Sequence, residues 1–206
     1  IIDGRDVIAQ SQSGSGKTAT FLIGNLNRIN IELNKPQVLV LAPNRELATQ
    51  IYNVMKALNT HLKATNTLLI GGTSIDEDIK ELDSGKQIII GTPGRIFDMI
   101  KRYVLQTNNI LSFILDEADE MLSRGFKEQI YNIYEYIPEQ SQVCLFSATM
   151  PEQALEITKT FMKNPFKILV ESENVSLQGI EQYYFGIQQE NWKIATIFDL
   201  YEKLSL

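Results

Sequence analysis

A chain of 206 residues with 44% hydrophobic and 21% charged residues has the composition of a folded protein with a sizeable core, which excludes wholesale disorder. Lys and Arg total 19 against 25 for Asp and Glu, a net charge of −6 that excludes nucleic-acid binding by a broad basic surface but leaves binding by a few placed contacts open. A single cysteine, Cys144, and a single histidine, His61, exclude internal disulfides, Cys-rich zinc sites and multi-histidine metal centres.

Nearly continuous apolar runs recur along the chain at residues 7–9, 38–41, 68–70, 88–90, 113–115, 143–146 and 168–170. Strands covered on both faces read this way, because neither face has to alternate with polar residues. The segments between have helical period. Leu47, Ile51, Val54 and Leu58 share one face of a helix starting near Arg45, and Phe126, Ile130, Ile133 and Ile137 mark another after Gly125. Repeated strand–helix–strand units predict an α/β three-layer sandwich with a mainly parallel sheet. This pattern fills residues 1–170; a polar stretch at 171–181 reads as a linker. Residues 182–187 then read as a strand, and a helix runs from Asn191 with Ile194, Ile197, Phe198 and Tyr201 on one face. One strand and one helix cannot bury their apolar faces alone, so 182–206 is expected to begin a second domain, with the chain cut at both ends. Cys144 is expected to be a buried apolar residue and His61 a surface or capping one. Trp192 is expected to pack in the missing domain. No apolar run has the length of a membrane span and no signal peptide opens the chain. A monomer without a membrane partner is expected, in the cytoplasm or the nucleus.

Three motifs carry chemistry. Ser11, Gln12, Ser13, Gly14, Ser15, Gly16, Lys17 and Thr18 follow the first strand and precede a helix bearing Phe21, Leu22 and Leu26. This is the phosphate-loop pattern with Ser11 in place of its first glycine. Gly14 and Gly16 let successive N–H groups turn inward, and the helix N-terminus favours phosphate. Lys17 supplies a cation for the outer phosphates and Thr18 a hydroxyl for Mg²⁺. The alternative is a flexible Gly/Ser loop. Downstream, the run 113–115 leads directly into Asp116, Glu117, Ala118 and Asp119, carboxylates at the C-terminal edge of a buried strand. Asp116 is expected to hold Mg²⁺ opposite Thr18, and Glu117 to orient the attacking water. A solvated acidic loop is the alternative. Ser147 and Thr149, flanking Ala148, end another apolar run and can bond a carboxylate such as Asp119; strand-end hydroxyls and helix caps look the same.

In this order the motifs resemble those of the DEAD-box RNA helicases, and within them the initiation factor 4A subfamily. The resemblance includes the phosphate loop 11–18, residues 43–48 (Pro43, Asn44, Arg45, Glu46, Leu47, Ala48), Gly71 and Gly72, Thr92 through Arg95, the acidic tetrad 116–119, and 147–149. The stretches 6–10, 113–126 and 192–204 carry the subfamily likeness. The resemblance implies a RecA-like P-loop NTPase domain that binds ATP, Mg²⁺ and single-stranded RNA and couples hydrolysis to local duplex separation in translation initiation. An ATP-gated RNA clamp in an RNA-processing complex is the alternative. It implies roles for Lys17, Asp116, Glu117, Asp119, Ser147 and Thr149 in hydrolysis and coupling. It assigns RNA contacts to Pro43, Asn44, Arg45, Glu46, Gly71, Gly72, Thr92, Pro93, Gly94 and Arg95. Asn44 stands where the family usually has Thr, and Ser11 where it usually has Ala. The implied partners are RNA without sequence preference, a second helicase domain in cis, and scaffold proteins of translation initiation or RNA processing. Helix starts near Arg45 and Arg95 would offer N–H groups and one arginine each to the phosphate backbone, contacts that fix position rather than read bases. Plain helix punctuation is the other reading of the two prolines.

Overall fold

The computed structural model describes residues 1–12, 14–123, 125–150, 152–169 and 183–204; Ser13, Val170, the expected linker 171–181 and Gln182 lie outside the described residues. The chain divides into two compact units, Ile1–Glu171 and Ser172–Leu206.

The first unit is built on strands β1 (Val7–Gln10), β2 (Val38–Leu41), β3 (Asn66–Leu69), β4 (Ile88–Gly91), β5 (Ser112–Asp116), β6 (Gln142–Ser147) and β7 (Phe166–Ile168). Their helices are α1 (Lys17–Leu26), α2 (Arg45–Leu58), α3 (Ile75–Asp83), α4 (Pro93–Lys101), α5 (Ala118–Ser123), α6 (Lys127–Tyr134) and α7 (Glu152–Phe161). The strands form one sheet in the order β3-β4-β2-β5-β6-β1-β7, with every pairing parallel. Successive side chains of each inner strand feed two different apolar layers. Val38 and Val40 of β2, Ile114 of β5 and Cys144 of β6 pack with Phe21 and Leu22 of α1 and with Ala48, Ile51 and Met55 of α2. Leu39, Leu41, Phe113, Leu115 and Leu145 point the other way, to Ile96 and Met99 of α4, Met121 of α5 and Ile130 and Ile133 of α6. This is the three-layer α/β architecture the apolar runs predict. Each fully buried Ile, Leu or Phe in it contributes about 1.5–3 kcal/mol of transfer free energy.

Three details differ from expectation. The last strand is 166–168 rather than 168–170, and its side chains are exposed, because it pairs only with β1 at the sheet edge. The buried stripe of α2 is Ala48, Ile51 and Met55, so Val54 faces solvent; helical period allows a neighbouring stripe, and packing selected it. Helix α4 starts at Pro93 itself, two residues before Arg95.

In the second unit, residues 183–187 form no strand. A 3₁₀ turn, Glu190–Trp192, leads into α8 (Lys193–Leu204), with Lys193 paired to Glu190 at 2.9 Å. Ile194, Ile197, Phe198 and Tyr201 are all exposed. Among the described residues no helix is long and apolar enough to cross a membrane.

Candidate functional site

Because all strands are parallel, the loops that follow them emerge on one rim. The phosphate loop follows β1, the acidic tetrad begins at the last residue of β5, and Ser147 ends β6. Strands β5, β6 and β1 are consecutive in the sheet, so these three motifs are neighbours.

Gly14 and Gly16 have φ of +77° and +91°, the left-handed backbone that the turn into α1 requires. Ser11 N–H donates to the carbonyl of Ser147 at 3.1 Å, extending the β1–β6 ladder into the loop. Ser11 and Ser15 share a hydroxyl–hydroxyl bond of 2.5 Å, and Ser15 Oγ also donates to the carbonyl of Gln12 at 2.7 Å. Lys17, the buried first residue of α1, donates through Nζ to the carbonyl of Ser11 at 2.8 Å and lies 3.4 Å from Glu117 Oε1. Thr18 is half-buried beside it.

The acidic residues differ sharply in environment. Asp116 is buried, and desolvation together with the neighbouring Glu117 charge raises its pKa from 3.8 to about 6; Lys17 offsets this only in part. Glu117 has φ of +49°, strained for a residue with a Cβ, and its N–H donates to Asp116 Oδ1 at 3.1 Å. Burial also raises Asp119, but hydrogen bonds from Ser147, Thr149 and the Glu120 N–H outweigh it and hold this carboxyl below its ordinary value. Thr149 Oγ1 donates to Asp119 Oδ2, and the Asp119 N–H lies 3.4 Å from Ser147 Oγ. The hydroxyls at the end of β6 thus bond the tetrad. Cys144 is buried in the β6 core, which pushes its thiol up to about 12, and His61 is exposed in a 3₁₀ turn after α2.

The other half of the rim belongs to β3, β4 and β2, also consecutive. A cavity of about 750 Å³ opens there. Pro43, Asn44, Arg45 and Glu46 line it from the start of α2, Gly71 from the loop after β3, and Thr92, Gly94 and Arg95 from the start of α4. Gly72 and Pro93 are not in its lining. Gly72 has φ of +90°, and a Cβ there would stand 2.8 Å from Arg45 Nη1, so the Arg45 guanidinium lies directly on the glycine pair.

Two sequence expectations need revision in this half. The Asn44 side chain accepts from the Leu47 N–H at 2.9 Å and caps α2, so that N–H is already satisfied. Arg95 does not stand free for a phosphate. It donates to Thr73 Oγ1 at 3.2 Å and to the Thr73 carbonyl at 2.9 Å, and it pairs with Asp78 of α3. Burial raises the Asp78 carboxyl, with Arg95 countering.

The sequence reading missed Asp98, Phe126 and Gln129 in the cavity lining. Gln129 carried a signal: it lies on the stripe of Phe126, Ile130 and Ile133, a polar residue on an apolar face. Its Oε1 is buried and has no hydrogen-bond partner among the described residues.

Residues 1–157 match the family model for DEAD/DEAH box helicases. The chain belongs to this family. Over its full 206 residues it is 53% identical to the "ATP-dependent RNA helicase eIF4A" of Meyerozyma guilliermondii, covering 52% of that protein. It is 52% identical over 205 residues to the "Eukaryotic initiation factor 4A" of Drosophila melanogaster, covering 51% of it. The chain therefore spans about half the length of the curated relatives it matches. Among solved structures, a S. cerevisiae Dbp5 variant bound to RNA and ADP BeF3 superposes with a TM-score of 0.89 at 34% identity, over 98% of this chain and 51% of that one. A DEAD box protein from the hyperthermophile Methanococcus jannaschii gives 0.78 at 36% identity, over 97% of this chain and 53% of that one. The RecA-like DEAD-box fold is thus established for this chain.

Proposed function

We propose that this chain is the ATP-binding half of an RNA-dependent ATPase that separates short RNA duplexes in translation initiation. The carrying observation is the split rim: the phosphate loop and tetrad occupy the ends of β1, β5 and β6, while the cavity opens beside them at the ends of β2, β3 and β4. The names of the relatives, ATP-dependent RNA helicases and initiation factors, support this reading.

On this reading the N–H groups at the start of α1 and the Lys17 ammonium receive the phosphates, Lys17 exchanging its bond to the Ser11 carbonyl for a phosphate oxygen. The residues fit Mg²⁺: a buried carboxylate, whose charge Lys17 only partly offsets, and a hydroxyl form a set of hard oxygen donors at Asp116 and Thr18. Bound there, Mg²⁺ would neutralise charge on the phosphates. Glu117 orients the attacking water. Ser147 and Thr149, bonded to Asp119, link the acidic loop to the end of β6. Single-stranded RNA lies along the other half of the rim, its backbone approached by Gly71, Thr92 and Gly94 and its charge met by Arg45. The 2′-hydroxyls distinguish it from DNA. A second helicase domain, in the length by which the relatives exceed this chain, closes over both.

Titration of a fluorescent ATP analogue into the 206-residue chain tests the nucleotide half. The unmodified chain binds in the presence of Mg²⁺, and Lys17→Ala loses binding by more than about tenfold, the scale of a charge-assisted hydrogen bond. Equal binding by both proteins would refute the site.

A further inference from the structure

We infer that Asp78, on a helix that carries none of the family motifs, is a positioning residue for RNA binding: through Arg95 it locks the Gly71–Gly72 loop to the Thr92–Gly94 turn. The inference rests on the RNA reading above and extends it to a residue that the motifs do not include.

The argument starts from where the arginine's donors go. Arg95 belongs to the first turns of α4, yet its bonds to Thr73 and Asp78 run to the loop after β3 and the helix that loop feeds. Its Nη2 donates to the Thr73 carbonyl at 2.9 Å, and Nη1 to Thr73 Oγ1 at 3.2 Å and to Asp78. The side chains of Arg95 and Asp78 are each only 9% exposed. A guanidinium this enclosed needs an ionised partner, and Asp78 supplies it from within the first turn of α3. The neighbouring acids of that helix, Asp76 and Glu77, are exposed.

The tie joins two loops that are also coupled at their roots, where the Thr92 N–H donates to the Leu69 carbonyl at 3.1 Å. Beyond that bond the chain turns through Gly71 and Gly72, the latter at φ of +90°, with Arg45 packed on them. Glycine loops have little stiffness of their own. Arg95 reaches back across the gap and fixes Thr73, the residue following the pair. Backbone groups that meet a sugar-phosphate strand must be held at a set spacing, because a misplaced donor loses most of its bond. The geometry therefore gives the buried pair a mechanical role: Arg95 supplies the strut, and Asp78 compensates its charge and aims it away from the ligand.

The test is an NMR titration of the 206-residue chain with a single-stranded decauridylate, following the amides of Gly71, Gly72 and Gly94, alongside affinity for the ATP analogue and the thermal midpoint. Asp78→Asn is expected to weaken RNA affinity about tenfold, the scale of losing a charged hydrogen bond. Nucleotide affinity is expected to stay within about twofold, since the phosphate loop lies on the other half of the rim. Asp78→Glu, which keeps the charge, is expected to restore most of the loss. Should Asp78→Asn not fold, Thr73→Val removes one strand of the tie without stranding a buried charge, and about a threefold loss of RNA affinity is expected. Unchanged RNA affinity in a folded Asp78→Asn or Thr73→Val protein would overturn the inference. So would a parallel fall in RNA and nucleotide affinity, the mark of general destabilisation. If the unmodified chain shows no RNA-induced shifts at the three glycines, the RNA reading itself fails and the inference falls with it.

Discussion

Asp116 illustrates how one buried carboxyl ties stability to proton concentration. Its pKa rises from 3.8 to about 6 on folding, so the folded chain holds the proton more tightly than the unfolded one. Stability from this group is therefore greatest at low pH, falls as pH climbs from about 4, and levels off above about 6. A shift of this size corresponds to something on the order of 3 kcal/mol. In metal-free and nucleotide-free buffer, Asp116→Asn is expected to remove that decline, so that its stability relative to the parent improves between pH 4 and 7. Urea melts across this range check it, and parallel curves for the two proteins would contradict it. The sequence identified Asp116 and Asp119 as a pair of carboxylates but not that their environments pull them apart. That difference depends on burial beside Lys17 for one and on the Ser147 and Thr149 hydroxyls for the other. The Arg95–Asp78 pair was hidden for a similar reason, since its members come from two separate helices and neither shows a spacing that announces the other.

At the scale of elements, helix α2 shows what capping contributes. Asn44 has extended backbone, with φ of −143°, and its side chain accepts from Leu47 N–H. Asn44→Ala is expected to cost about 1 kcal/mol and lower the thermal midpoint by about 2–4 °C, while Asn44→Ser, which keeps an acceptor, costs much less. Calorimetry of the two variants distinguishes them; equal losses would mean that the cap is not what Asn44 provides. The inner strands were legible because both faces of β2, β4, β5 and β6 are buried, which writes uninterrupted apolar runs into the sequence. β7 was misplaced because an exposed edge strand lacks that constraint, and pairing with β1 alone sets its position. Of the stripe expected on α2, Ile51 is buried and Leu47 and Leu58 pack against the core, but Val54 faces solvent and Ala48 and Met55, weaker apolar markers, complete the buried face. The strand expected from residue 182 does not form over 183–187, where residues 183–186 are exposed.

At the scale of the molecule, no arginine follows Arg124 in the sequence. Arginines donated across a closing site are worth roughly 10³–10⁵ in phosphoryl-transfer rate. The 206-residue chain is therefore expected to hydrolyse ATP barely and to gain little from added RNA, as a coupled phosphate-release assay would show; strong RNA-stimulated turnover would contradict the division of labour proposed above. The sheet also constrains how the halves of the rim communicate. Strands β2 and β5 are neighbours at the seam, buried on both faces, and a close-packed interior of this kind yields little to local forces. Compliance is left to the loops above them. News of an occupied phosphate loop would then travel sideways over the surface, relayed from Asp119 to Thr149 and on by whatever bridges both halves, while the floor beneath stays still.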